Sequence, residues 1–63
     1  MSKYMVLTFD GVKVNTGKAR LLIFGDREEW IPESQIGYID EEEGEVLVTQ
    51  WCVLDKGLEA YEK

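Results

Sequence analysis

Short runs of β-forming residues, many with alternating apolar and polar positions, are separated by turn signals along most of the chain. The runs that predict extended structure are residues 4–9, 12–15, 18–24, 27–31, 36–40 and 45–49. Asp10-Gly11, Gly25-Asp26 and Glu41–Gly44 are typical turn sequences, and Thr16-Gly17 indicates a turn or a bulge. We therefore expect residues 18–31 to form a hairpin within a mainly β structure.

The run at 18–24 is apolar on both faces toward its C-terminal end. Leu22 and Phe24 lie on the opposite face from Leu21 and Ile23, because side chains alternate along a strand. One face can point into the core, but the other also needs a cover. The C-terminal segment is the favoured cover for Leu22 and Phe24, and a second subunit is the alternative.

The pattern changes after residue 49 to one typical of a short helix. Thr49 can cap the N-terminus of a helix at residues 51–56, and Gly57 fits the left-handed position after it. Leu58 then fits the apolar position that follows such a cap. The last residues, 61–63, are expected to fray.

The segment Trp30-Ile31-Pro32-Glu33-Ser34-Gln35-Ile36 predicts a strand that ends in a single 3₁₀ turn, because proline cannot continue a central ladder. It is similar to the corner that joins the last two strands of Src-homology-3 domains. The chain has 63 residues, enough for one domain, 1–63. We predict a small, strongly bent antiparallel sheet or a Src-homology-3-like barrel of about five strands, with a short C-terminal helix.

Charge is distributed unevenly. The net charge is −6, but residues 1–31 hold five basic and four acidic side chains, whereas residues 32–63 hold two basic and nine acidic ones. Such asymmetry favours association with a basic partner or serves general solubility. The candidate partner-binding acidic patch comprises Asp40, Glu41, Glu42, Glu43 and Glu45.

Four basic residues are candidates for a nucleic-acid or ligand face on the predicted hairpin. They are Lys13, Lys18, Arg20 and Arg27. Phosphate contacts and base stacking are the chemistry that such a face offers to a single strand. A solvated strand face is the favoured alternative, and the negative net charge argues against a protein that binds nucleic acid through a general basic surface.

Aromatic residues and the single cysteine complete the candidate chemistry. Trp30 and Trp51 are expected in the core, with an interface role as the alternative that groups them with Leu22 and Phe24. Cys52 is expected to be a buried small hydrophobe, and with no histidine in the chain no metal or other cofactor is predicted. Without a nucleophile–base pair no catalytic residue is predicted. The free thiol and the lack of a long apolar segment predict a cytoplasmic protein without a membrane span.

The pattern from residue 16 to 58 resembles a family of small uncharacterised bacteriophage and prophage proteins. The matching strings are Lys18-Ala19-Arg20-Leu21-Leu22-Ile23, Trp30-Ile31-Pro32-x-Ser34-Gln35-Ile36 and Thr49-x-Trp51-x-x-x-x-Lys56-Gly57-Leu58. The resemblance implies a phage-type origin, a compact β fold and no catalytic residues.

These observations together predict a non-enzymatic protein that binds a host or phage protein stoichiometrically. Its concrete form is a counter-defence inhibitor, acting in the host cytoplasm, that uses the acidic patch. One alternative is a nucleic-acid accessory factor for phage recombination or replication. The other is a homo-oligomeric sponge for a small ligand such as a nucleotide.

Overall fold

The computed structural model describes residues 3–63, so the first two residues of the predicted domain lie outside the described part. Six strands fold there into two three-stranded antiparallel sheets. Their bounds are β1 Tyr4–Thr8, β2 Gly11–Asn15, β3 Ala19–Phe24, β4 Arg27–Pro32, β5 Ile36–Asp40 and β6 Glu45–Thr49. A helix, α1, spans Gln50–Lys56, and 3₁₀ turns span Glu33–Gln35 and Glu59–Tyr61. The predicted class, mainly β with a short C-terminal helix, is confirmed.

The strands divide between a central sheet, in the order β2-β3-β4, and a terminal sheet, in the order β1-β6-β5. The chain changes sheet at Phe9–Asp10, where the Phe9 N–H donates to the Gly44 carbonyl at 2.9 Å and the Asp10 N–H donates to the Ile23 carbonyl at 2.7 Å. Asp10-Gly11 therefore does not join two paired strands. The strand count is six, against about five in the predicted sheet or barrel.

The inner faces of both sheets meet in one apolar core. Its buried members are Leu7, Phe9, Leu22, Phe24, Ile31, Val46, Val48, Cys52, Val53 and Leu58. Leu22 and Phe24 are fully buried among residues of their own chain, including three from the C-terminal segment. Their assignment to a possible subunit interface is therefore wrong, since neither side chain reaches the surface.

The helix has the termini that the sequence predicted. The Thr49 hydroxyl accepts a hydrogen bond from the Cys52 N–H at 3.3 Å, which satisfies one of the unpaired donors of the first turn. Gly57 adopts the left-handed conformation with φ 66°, and the Leu58 N–H donates to the Val53 carbonyl at 2.9 Å. Leu58 is fully buried, so this cap also anchors the segment that follows the helix.

Contrary to the expectation of fraying, residues 61–63 are packed against the rest of the molecule. The Tyr61 ring lies 4.9 Å from the Phe24 ring, centroid to centroid, and Glu62 forms an isolated antiparallel bridge with Leu7. The Lys63 N–H donates to the Val6 carbonyl at 2.8 Å. The tail is thus held against β1 by aromatic packing and main-chain bonds, which a reading of local sequence cannot detect.

Each sheet contains one irregularity that interrupts strict alternation. In β2 the pairing register shifts at Lys13, between Val12 and Val14, and in β5 it shifts at Gly37. A bulge inserts one extra residue, so positions two apart no longer share a face. As a result Val12 packs against the core while Val14 is exposed, although strict alternation along residues 12–15 would place both on one face.

Candidate interaction surfaces

The predicted acidic patch lies in the tight turn between β5 and β6. One carboxylate oxygen of Asp40, Oδ1, accepts hydrogen bonds from the backbone N–H groups of Glu42 and Glu43, both at 3.1 Å. The Asp40 carbonyl accepts another from Gly44 at 2.9 Å. These bonds hold the turn in one shape, and the side chains of Glu41, Glu42 and Glu43 project into solvent.

Gly44 closes this turn and requires a glycine. Its φ is +71°, and a Cβ atom there would lie 2.8 Å from the Phe9 carbonyl oxygen. That oxygen belongs to the backbone, so it cannot rotate away as a flexible side chain would. The Gly44 carbonyl also accepts a hydrogen bond from the Phe9 N–H. The acidic turn is therefore fixed to the point where the chain passes from one sheet to the other.

A shallow groove lies beside the acidic turn on the outer face of the terminal sheet. Leu47 is paired with Val6 on one side and Tyr38 on the other, so the three form an apolar row across the sheet. Tyr38 is 61% exposed. The groove measures about 140 Å³, and we call it the acidic groove; its lining residues are Val6, Tyr38, Asp40, Glu45, Val46 and Leu47.

The chain's own last residue occupies the rim of this groove. The Lys63 ammonium donates a hydrogen bond to the Glu45 carboxylate. That bond, together with the attraction of the Glu45 charge, raises the pKa of Lys63. Sequence reasoning identified the carboxylates but missed Val6, Tyr38, Leu47 and Lys63, because their proximity depends on strand order and on the docking of the tail.

The candidate basic residues are largely paired with carboxylates of the same molecule. Lys13 lies 3.0 Å from Glu28, Arg20 lies 2.9 Å from Glu33, and Arg27 lies 2.7 Å from Glu29, measured between nitrogen and oxygen atoms. Within residues 3–63, Lys18 is exposed and forms no ion pair. These pairs reduce the positive potential that the hairpin presents.

The structure does not bring these basic residues together on one face. Arg20 lies on the same side of β3 as the buried Leu22 and Phe24, because the three positions are two apart. Lys13 instead pairs with Glu28, which is opposite Ile23 on the outer side of the central sheet. The expected single basic face is therefore divided between the two sides of the sheet.

Arg27 has a structural role that the sequence did not reveal. Its guanidinium bonds the Glu29 carboxylate and donates to the carbonyls of Lys56 and Gly57 at the end of α1. Hydrogen bonding to Glu29 is the main cause of the raised pKa of Arg27. A cation at a helix C-terminus is favourable, so Arg27 links the central sheet to the helix.

Both tryptophans are exposed, contrary to the expectation that they lie in the core. Trp30 is 44% exposed and pairs with Leu21, which in turn pairs with the exposed Val14, so these three form an apolar row on the outer face of the central sheet. Trp51 is 68% exposed and lies one helical turn from Leu54, which is also exposed. The largest fully buried side chains are instead Phe24, Ile31 and three leucines.

Other candidate chemistry takes little part in these surfaces. Cys52 is buried, and its burial raises the pKa of the thiol. Across the described range 3–63, no group of three or more histidine, cysteine, aspartate or glutamate side chains is arranged to hold a metal ion. No helix in that range has the length and apolar character needed to cross a bilayer.

Comparison of the chain with protein-family models, curated proteins and solved structures gave no match. The resemblance to phage proteins accordingly remains a prediction from the quoted motifs.

Proposed function

We propose that this protein acts without catalysis, by binding a basic surface of a partner protein through the acidic turn and the adjoining acidic groove. The observation that carries this proposal is the unequal pairing of charges. Three of the four candidate basic residues are paired internally, whereas Asp40 and Glu41–Glu43 form no ion pair with any lysine or arginine in residues 3–63. Four neighbouring unpaired carboxylates on one rigid turn concentrate negative potential there, where it can steer a basic partner.

In its most specific form, the proposal is a phage-type counter-defence inhibitor that acts on a basic surface of a host immune or nucleic-acid-handling protein. The resemblance of the quoted motifs to phage proteins and the acidic second half of the chain support this form. Stoichiometric blocking needs only a stable surface of the right charge and shape, which a domain of this size can present.

The other two functions have less support. A nucleic-acid accessory factor needs free cations along one face, and three of the four candidates are engaged with carboxylates. A homo-oligomeric nucleotide sponge needs free cations for the phosphates, and Arg20 and Arg27 are both paired with carboxylates of their own chain.

The test is a comparison of two charge-matched triple variants in affinity capture from host lysate. E41Q/E42Q/E43Q removes three charges from the turn, and D26N/D55N/E59Q removes three from exposed positions elsewhere. We expect the first to lose a partner that the wild type captures at stoichiometric ratio and the second to keep it. Equal capture by both variants, or no partner for the wild type, would contradict the proposal.

A further inference from the structure

The outer face of the terminal sheet has an apolar row directly beside a row of carboxylates. Tyr38 and Asp40 are two residues apart on β5, and Leu47 and Glu45 are two apart on β6, so each pair shares a face. Asp40 and Glu45 are themselves cross-strand partners. Two like charges directly opposite each other on a sheet repel, so this position favours a cation between them.

The size of the groove limits what can enter it. A cavity of roughly 150 Å³ accommodates a single benzene-sized group. The acidic groove is of this size, at about 140 Å³. It therefore suits one side chain of a partner rather than a folded element or a nucleotide.

The molecule itself shows which chemistry this position accepts. The Lys63 ammonium lies on Glu45 at the rim, where the carboxylate raises the pKa of the lysine. Long basic side chains place their aliphatic stems along apolar surface while the charged head remains polar. Leu47 and Val6 offer that surface, and the exposed Tyr38 ring offers a face on which a guanidinium can stack.

We propose that the acidic groove binds an arginine side chain of an extended partner segment, and that Lys63 competes with it for Glu45. The stem of the arginine lies along Val6 and Leu47, and its guanidinium lies between the Tyr38 ring and the carboxylates of Asp40 and Glu45. This inference deepens the proposed function and rests on it, because it specifies which partner residue the acidic surface selects.

The test uses the full chain and the peptide acetyl-Gly-Val-Arg-Val-Gly-amide, followed by ¹H–¹⁵N NMR titration. We expect saturable shifts of the amides of Val6, Tyr38 and Leu47. Replacing the arginine with citrulline keeps its shape but removes its charge, so the shifts should be lost.

Y38F should bind like the wild type, and Y38L should bind about threefold more weakly because the aromatic face is gone. K63M should bind about threefold more tightly because its competing ammonium is absent.

Several outcomes would overturn the inference. They are equal binding of the citrulline peptide, a better fit to a peptide with leucine at the central position, no saturable shift, or shifts that report self-association of the chain. Because the titration needs no partner protein, its failure is distinguishable from failure of the proposed function. If lysate capture depends on Glu41–Glu43 but the peptide does not bind, the arginine site in the groove is ruled out. The proposed function of the acidic turn is then still supported.

Discussion

The two sheets are built alike but present different surfaces. Each is three-stranded, each contributes its inner face to the shared core, and each has an outer apolar row: Val14–Leu21–Trp30 on the central sheet and Val6–Leu47–Tyr38 on the terminal sheet. In both, a bulge precedes the outward side chain at the end of the row, Val14 or Tyr38. The sheets differ in what surrounds that row.

Around the central sheet, three of the four basic side chains, all but Lys18, are paired within the molecule. Lys13 with Glu28, Arg20 with Glu33 and Arg27 with Glu29 are local pairs of opposite sign. At the terminal sheet, the adjoining turn holds carboxylates that form no ion pair within residues 3–63, and Lys63 pairs with the neighbouring Glu45. The comparison teaches that the charge available to a partner depends on pairing in space, which the count of charged residues along the chain does not give.

The largest expected effect is on stability, and it distinguishes the inner face of the central sheet from its outer face. F24A should destabilise the protein by about 3–5 kcal/mol, because it removes a fully buried ring that contacts Tyr61. A domain of this size has a total stability of similar magnitude, so much of the variant should be unfolded. W30A, at the exposed row, should cost less than about 1 kcal/mol. Urea unfolding followed by circular dichroism measures both, and comparable losses would contradict the assignment of faces.

The next effect tests the rigidity of the acidic turn. G44A should destabilise the protein by about 2 kcal/mol or more, since it forces a side chain into the left-handed region and against the Phe9 carbonyl. G25A is the matched control: its φ is also positive, but nothing lies within 4 Å of the added Cβ. It should cost only about 1 kcal/mol. Equal midpoints in urea would mean that the turn tolerates displacement from the sheet crossing.

A structural element can be predicted from the sequence when the interactions that form it are local along the chain. Capping by Thr49 and Gly57, the turn before Gly44 and the 3₁₀ turn after Pro32 are local, and the predicted elements there are confirmed. The bulges could not be predicted from period two. Without the shift at Gly37, Ile36 and Tyr38 would share a face, whereas Ile36 packs against the core and Tyr38 is exposed.

The candidate site was predictable only in part for the same reason. The acidic patch lies within six consecutive residues, 40–45, so its five carboxylates can be identified from the sequence. The groove combines residues from β1, β5 and β6 with the last residue of the chain. Strand order and the docking of the tail set these distances, and neither is encoded in a local pattern. Trp30 and Trp51 were expected in the core because of their size, but leucines, valines and Phe24 fill it.

Neutralising single acids should sharpen the comparison of paired and unpaired charges. E33Q removes the partner of Arg20, whose side chain is largely shielded, and should destabilise the protein by about 0.2–1 kcal/mol. E42Q removes one of several clustered like charges and should change stability by less than about 0.5 kcal/mol, in the stabilising direction. Thermal unfolding at low and at high salt measures both. If E42Q destabilises the protein as much as E33Q, the Glu42 carboxylate makes a stabilising charge interaction and the turn is not unpaired.

The smallest effect concerns Lys63, the cation that pairs with Glu45 at the acidic groove. Because Glu45 raises the pKa of Lys63, the pair stabilises the folded state fully below the ordinary lysine pKa of about 10.4, and this contribution is lost as pH rises through the higher folded value. Other groups, including Cys52, also titrate at high pH, so the difference between wild type and K63M isolates the pair. The urea midpoint of the wild type should exceed that of K63M at pH 8, and the two should converge as the pH rises above the raised pKa of Lys63. A difference that does not change with pH would show that the ion pair is not its source, and the ammonium would then be held too loosely to compete for Glu45.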